Sequence, residues 1–352
     1  MSETARRGRR RAALALTALL LVLACRGTGA EAAPVPWATG FGNLDFGREY
    51  EHLVNDQTKY LRRKTDVFTS FYIKRGSIGE AEAALPQKLR LWGQLTKAGI
   101  RIAQVVPLVM DDDGANIARI LNPADPLHAR YVAFWTALGE GLKTAGAERA
   151  VVRIGHEMNL TGGYQWSYGN PRFKASDFAP LYKLAADAIR SKLPDAVRCW
   201  NPGKKTAKGT PEELWPGDSY VDLVCLDFYD NGVYGFVTSD AAWRALVDKT
   251  DRNGPVGINS WYKWAKARGK RLAVPEWGLT DPKKPGAAPT DRPVYIQKMY
   301  DYFRSIAAKG DLEFESYYNY AFNGRDSHQL YPVLPKHRRS SQLYQRLFGV
   351  AR

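Results

Sequence analysis

From about residue 35 the chain alternates short, nearly continuous apolar runs with longer stretches in which apolar residues recur at helical spacing. Eight runs read as strands: 35–41, 66–73, 100–110, 149–155, 197–203, 221–229, 271–277 and 314–322. The segments between them carry helical patterns. "DFAPLYKLAADAIRSKL" (177–193) is one, with Ser176 or Asp177 as its cap, and "PVYIQKMYDYFRSIAAKG" (293–310), ending on glycine, is another. Strand–helix alternation predicts an α/β fold with a parallel sheet. Eight such units predict a single (β/α)8 TIM barrel over residues 34–352. A doubly wound open sheet is the competing arrangement, but no glycine-rich phosphate loop follows an early strand. No internal repeat or flexible linker divides the chain after residue 34.

The start of the chain breaks this pattern. "RRGRRR" (6–11) precedes an apolar run, "AALALTALLLVLA" (12–24), and then small residues, which together read as an export signal over 1–33. The paired arginines also fit a twin-arginine signal. "LVLAC" resembles a bacterial lipobox, with Cys25 as the lipidated residue and a membrane attachment; cleavage near Ala30 to Ala33 is the alternative. Either places the mature protein outside the cytoplasm.

Composition adds two points. The formal net charge is +15, of which residues 1–32, with six Arg and two Glu, carry +4. The remaining +11 suits an acidic polymer or an anionic surface. It is scattered, with one dense run, "KHRR" (336–339), so solvated surface is the plainer reading. No nucleic-acid module is recognisable, and nucleic acid is not an expected partner. Apart from Cys25 the chain holds only Cys199 and Cys225, both in apolar runs, and these are expected to be buried free thiols.

In a barrel of this kind chemistry gathers where strands end. Glu157 and Glu276 each close an apolar run with aromatic residues nearby. They lie on the fourth and seventh strands, which stand across the barrel mouth from each other. Facing carboxylates serve glycosidic cleavage, one as proton donor and one meeting the oxocarbenium-like carbon. Tyr164, Trp166, Tyr168, Trp277, Tyr317, Tyr318, Tyr320 and Phe322 supply rings on which a pyranose can stack, or else pack the core. The run Asp111-Asp112-Asp113 lacks the further carboxylate of a calcium loop and reads as a polar turn; no metal site is expected.

The blocks "RIGHEMN" (153–159), "WPGDSYVDLVCLDFY" (215–229) and "PEWG" (275–278) resemble glycoside hydrolase family 26, best known for β-mannanases of the retaining (β/α)8 clan. The resemblance implies Glu157 as general acid/base and Glu276 as nucleophile. It further implies His156 and Asp227 lining the sugar subsite and Tyr229 hydrogen-bonding the nucleophile. Tyr164, Trp166, Trp277 and Tyr318 are added as substrate-binding rings. The expected activity is retaining endo-β-glycanase, on β-1,4-mannan or on another neutral or acidic β-glycan, by a monomer that needs no cofactor. The chain departs from the family at Gly162, where a tryptophan usually stands, and in "PLVMDDDG" and "YYNYAFNGR", which lack the family's usual histidine and tryptophan. A glycan-binding attachment protein on the same barrel is the reading from a different class.

Overall fold

The computed structural model describes residues 35–42, 58–73, 76–284, 286–320 and 328–349. The expected export signal with Cys25 lies outside the described residues, as does Phe322. Eight strands form the barrel: β1 (Ala38–Gly42), β2 (Val67–Phe71), β3 (Arg101–Val106), β4 (Val151–Ile154), β5 (Val197–Trp200), β6 (Leu223–Asp230), β7 (Arg271–Leu279) and β8 (Leu312–Tyr318). They close in the order β1-β8-β7-β6-β5-β4-β3-β2, all parallel. The predicted (β/α)8 architecture is therefore the observed one.

Helices wrap the barrel. The largest are α1 (Ile78–Lys97), α2 (Pro126–Thr144), α3 (Ala175–Arg190), α4 (Asp240–Val247), α5 (Ile258–Lys266), α6 (Pro293–Ala307) and α7 (Arg338–Phe348). Between β5 and β6 the chain makes only 3-10 turns (Pro211–Leu214 and Asp218–Tyr220), where full helical material was expected. The start of α3 also differs from expectation. Lys174 is its N-cap, and Asp177 acts from the third helical position, its carboxylate accepting the Lys174 N–H at 3.2 Å.

Alternation along each strand sorts side chains between two compartments. One set points into the barrel: Val67, Ala103, Val151, Cys199, Leu223, Cys225, Ala273 and Phe314 form its inner floor. Above them sit Phe71, Val105 and Tyr318. The other set, among them Val152, Ile154, Val224, Leu226 and Val274, packs outward under the helices.

Two features interrupt this order. Cys199 and Cys225 are joined in a disulfide, with Cα atoms 5.8 Å apart, so the expected free thiols are corrected. Both cysteines point into the barrel from adjacent strands, Cys199 opposite Leu223 and so two residues below Cys225, and inward alternation brings them together. The second feature is a bulge in β7. Cys225 pairs with Ala273 but Asp227 pairs with Glu276, so β7 holds one residue more than β6 over that interval. The same shift recurs against β8, where Glu315 pairs with Val274 and Tyr317 with Trp277. An extra residue flips the parity of all that follows. Ala273 points inward, and the bulge turns Glu276 inward again three residues later, with Trp277 outward.

Candidate active site

The inward positions at the tops of β4, β5, β6 and β7 bring together Arg153, Asn201, Asp227, Tyr229 and Glu276. Arg153 is fully buried and organises the group. Its Nε donates to Asn201 Oδ1 at 2.5 Å. Its Nη2 donates to both oxygens of Asp227, at 2.8 and 2.9 Å, and to Glu276 Oε1 at 2.8 Å. The other oxygen of Glu276 accepts the Tyr229 hydroxyl at 2.8 Å. Both oxygens of Glu276 are thus engaged by donors, one of them cationic, an arrangement that suits a carboxylate.

Glu157 is placed by the turn that ends β4. Gly155 has φ +57, and a side chain there would meet Leu108 Cβ at 2.8 Å, so only glycine fits. Glu157 itself has φ +52, a conformation unusual for a residue with a side chain. Its N–H, donating to the Asn201 carbonyl at 2.7 Å, holds it there. Backbone strain of this kind, about 1–3 kcal/mol, gathers where side-chain position matters. Burial pushes the Glu157 carboxyl up to about 8; repulsion from Glu276 adds to this and Arg153 opposes it. Burial likewise raises Asp227, with Arg153 opposing and the two glutamates reinforcing. The site therefore holds three carboxyl groups around one guanidinium.

The predicted rings divide. Tyr318 belongs to the inner upper layer, its ring 5.9 Å from that of Tyr229. Half-buried Tyr164 stands over His156, its hydroxyl 3.1 Å from His156 Nε2. His156 is buried, and burial followed by the nearby Arg153 charge pulls its pKa far down, so it is a neutral ring. Trp166 is 2% exposed, stacks on Tyr164 at 4.9 Å and donates Nε1–H to the His156 carbonyl. It supports the site from behind, a correction to its expected contact with substrate. Trp277 is corrected more sharply: the bulge turns it outward, fully buried among Tyr295, Phe303, Tyr317 and Phe348. Its Nε1 donates to Glu315 at 2.6 Å.

Arg153, Asn201, Lys204 and His328 were not singled out from the sequence. Arg153 had a signal, since a charge inside the buried run "VVRI" has to be paired. His328, 4.6 Å from the Tyr229 ring, had none, because it lies outside the apolar runs and meets the site only in three dimensions.

A cleft of about 670 Å³ opens beside the group, its lining including Glu157, Leu160, Lys204, Asp227 and Tyr229. Among the described residues no cluster of three or more His, Cys, Asp or Glu is arranged to hold a metal. No family model and no curated protein matches the chain. Solved structures do. The catalytic domain of a Bacillus sp. JAMB-750 GH26 endo-β-1,4-mannanase superposes with a TM-score of 0.62 at 15% identity, over 89% of this chain and 85% of that one. A double mutant of the Cellulomonas fimi endo-β-1,4-mannanase gives 0.61 at 16%, over 89% and 70%. Bacillus subtilis mannanase man26 gives 0.59 at 15%, over 90% and 87%. The fold is that of the family 26 mannanases. The likeness runs over most of each chain, and at this identity it is a likeness of fold.

Proposed function

We propose that the protein is a retaining endo-β-glycanase in which Glu276 is the nucleophile and Glu157 the acid/base. The observation that carries this reading is the contrast between the two glutamates. Glu276 is held from both oxygens by Arg153 and Tyr229, whereas Glu157, with no hydrogen bond to its carboxyl among the described residues, is pushed toward the protonated form. Environments that separate two carboxyl groups in this way assign the acid and the base.

In the first step a Glu276 oxygen bonds to the anomeric carbon as the glycosidic C–O bond breaks, and the leaving oxygen takes the Glu157 proton. In the second, Glu157 removes a proton from water, whose oxygen attacks the same carbon and frees Glu276. Asp227 and Arg153 position Glu276, and Tyr229, Tyr164 and Tyr318 border the sugar. The mechanism needs no cofactor. The substrate is a β-linked polysaccharide, with β-1,4-mannan first among those to test because the structural neighbours named above are mannanases. We propose export as well: the amino-terminal pattern suggests it, and a disulfide suits an oxidising compartment.

Replacing Glu276 by alanine should lower turnover by about 10³-fold or more, with azide restoring part of it as an external nucleophile. Glu157→Ala should slow unactivated glycans far more than aryl glycosides with good leaving groups. Retained activity in the Glu276 variant, or equal losses on both substrate types in the Glu157 variant, would remove the assignment.

A further inference from the structure

We propose that the glycan cleaved here carries an anionic substituent, a carboxylate or a sulfate ester, held by Lys204, Lys205 and Lys283; this rests on the glycanase reading and names its substrate class. The cleft has two unlike sides. On one side Tyr229 lines the cleft, and behind it toward β8 its ring meets those of Tyr318 and His328, with centroids 4.6 to 5.9 Å apart. Toward the loops after β5 and β7 stand the three lysines. Among the described residues the acids lining the cleft are Glu157 and Asp227, and both belong to the Arg153 group. Among the described residues, Asp251, outside that lining, pairs with Lys205, and no such ion pair meets Lys204 or Lys283.

Lys204 is the most informative of the three. It is only 5% exposed, and its ammonium donates to the carbonyls of Tyr229 at 3.2 Å and Val233 at 3.4 Å. An ammonium has three N–H donors, so one is left without an oxygen acceptor among the described residues, with the Phe228 ring 5.1 Å away on another side. The acid whose field reaches it, Asp230, is already held by Arg292 at 2.5 Å. Burial pulls Lys204 down to about 8. Keeping a cation under these conditions costs free energy that an arriving anion offsets, and partial exclusion of water strengthens the attraction. Lys205 lies 3.4 Å from Asp251, and Lys283 stands exposed at the rim. A neutral sugar needs rings and hydroxyl partners, which the β8 side supplies; it has no use for three cations.

The test compares a uronate-bearing β-glycan with the same polymer after its carboxyls are reduced to alcohols, alongside a sulfated glycan and plain β-mannan. Cleavage and binding are both measured, from about 0.01 M to about 1 M salt, over which the screening length shrinks from about 30 Å to about 3 Å. The expected result is about tenfold preference for an anionic polymer at low salt, fading at high salt. The polymer that shows it distinguishes carboxylate from sulfate. Lys204→Gln and Lys283→Gln should each bring the ratio of anionic to neutral turnover toward one, a readout that loss of fold does not imitate. Equal, salt-independent cleavage of charged and neutral polymers would overturn the proposal while leaving the glycanase reading intact. Lysine-dependent binding of an anionic polymer that is never cut would support the anion site and overturn the glycanase reading. Neither cleavage nor binding would overturn both.

Discussion

Glu157 is the residue at which charge and backbone meet. Its carboxyl titrates near 8 in the fold, against about 4.3 in an unfolded chain. The folded protein therefore keeps a proton that the unfolded chain has already released between those values, and stability from this residue falls as pH rises through that window. Glutamine cannot ionise. Glu157→Gln should thus gain in melting temperature over the native chain as pH climbs from about 5 to about 9, which a series of thermal melts would show. A constant difference across pH would mean that the carboxyl is not perturbed. In the native protein, turnover should decline as pH rises through about 8 as the acid form is lost. Arg153 makes the opposite point. Removing it as Arg153→Met leaves Asp227 and Glu276 buried without their shared cation, an expected loss of about 3–5 kcal/mol in denaturant unfolding. Adding Asp227→Asn should recover part of that stability but not turnover, because Glu276 would still lack its charged partner.

At the scale of elements, the barrel strands were legible because each is an apolar run bounded by helical pattern; the eight expected runs overlap the eight strands of the barrel. What each strand does with its side chains was less legible. Trp277 follows Glu276 directly and looked like part of the same site, yet adjacent residues on a strand face opposite ways. The bulge decides which of the two faces the sugar. Pro275 was the available signal, since a proline inside a sheet strand is confined to edges and bulges. This has a measurable consequence. Trp277→Ala should cost about 3–5 kcal/mol of stability, as a deleted core ring does, with little change in KM at temperatures where the variant stays folded. A large rise in KM with stability intact would return Trp277 to the substrate-binding wall. The pairing of Cys199 with Cys225 was hidden for a related reason. It depends on the register of β5 against β6, which no local pattern specifies.

At the scale of the whole molecule, the disulfide closes a loop of 26 residues through the barrel interior. In the chain-entropy account a loop of that size is worth about 3.5 kcal/mol. Replacing both cysteines by alanine should lower the melting temperature, and reductant should then lower only that of the native chain; equal responses would mean that the pair is not bridged. The positive charge read from composition also takes on a location, because part of it lines the cleft. The bulge in β7 has the widest reach. It works like a reading frame: with the extra residue in place, the strand spells acid toward the barrel and tryptophan toward the helices. Without it the two would trade compartments, driving a carboxylate into the packed layer around Phe303 and Phe348 and an indole into the space beside Asp227. The chain could not slip that frame and remain folded as an inactive barrel, since the same displaced residue would empty the core and block the mouth. Possession of the fold and presentation of Glu276 are, for this protein, inherited together.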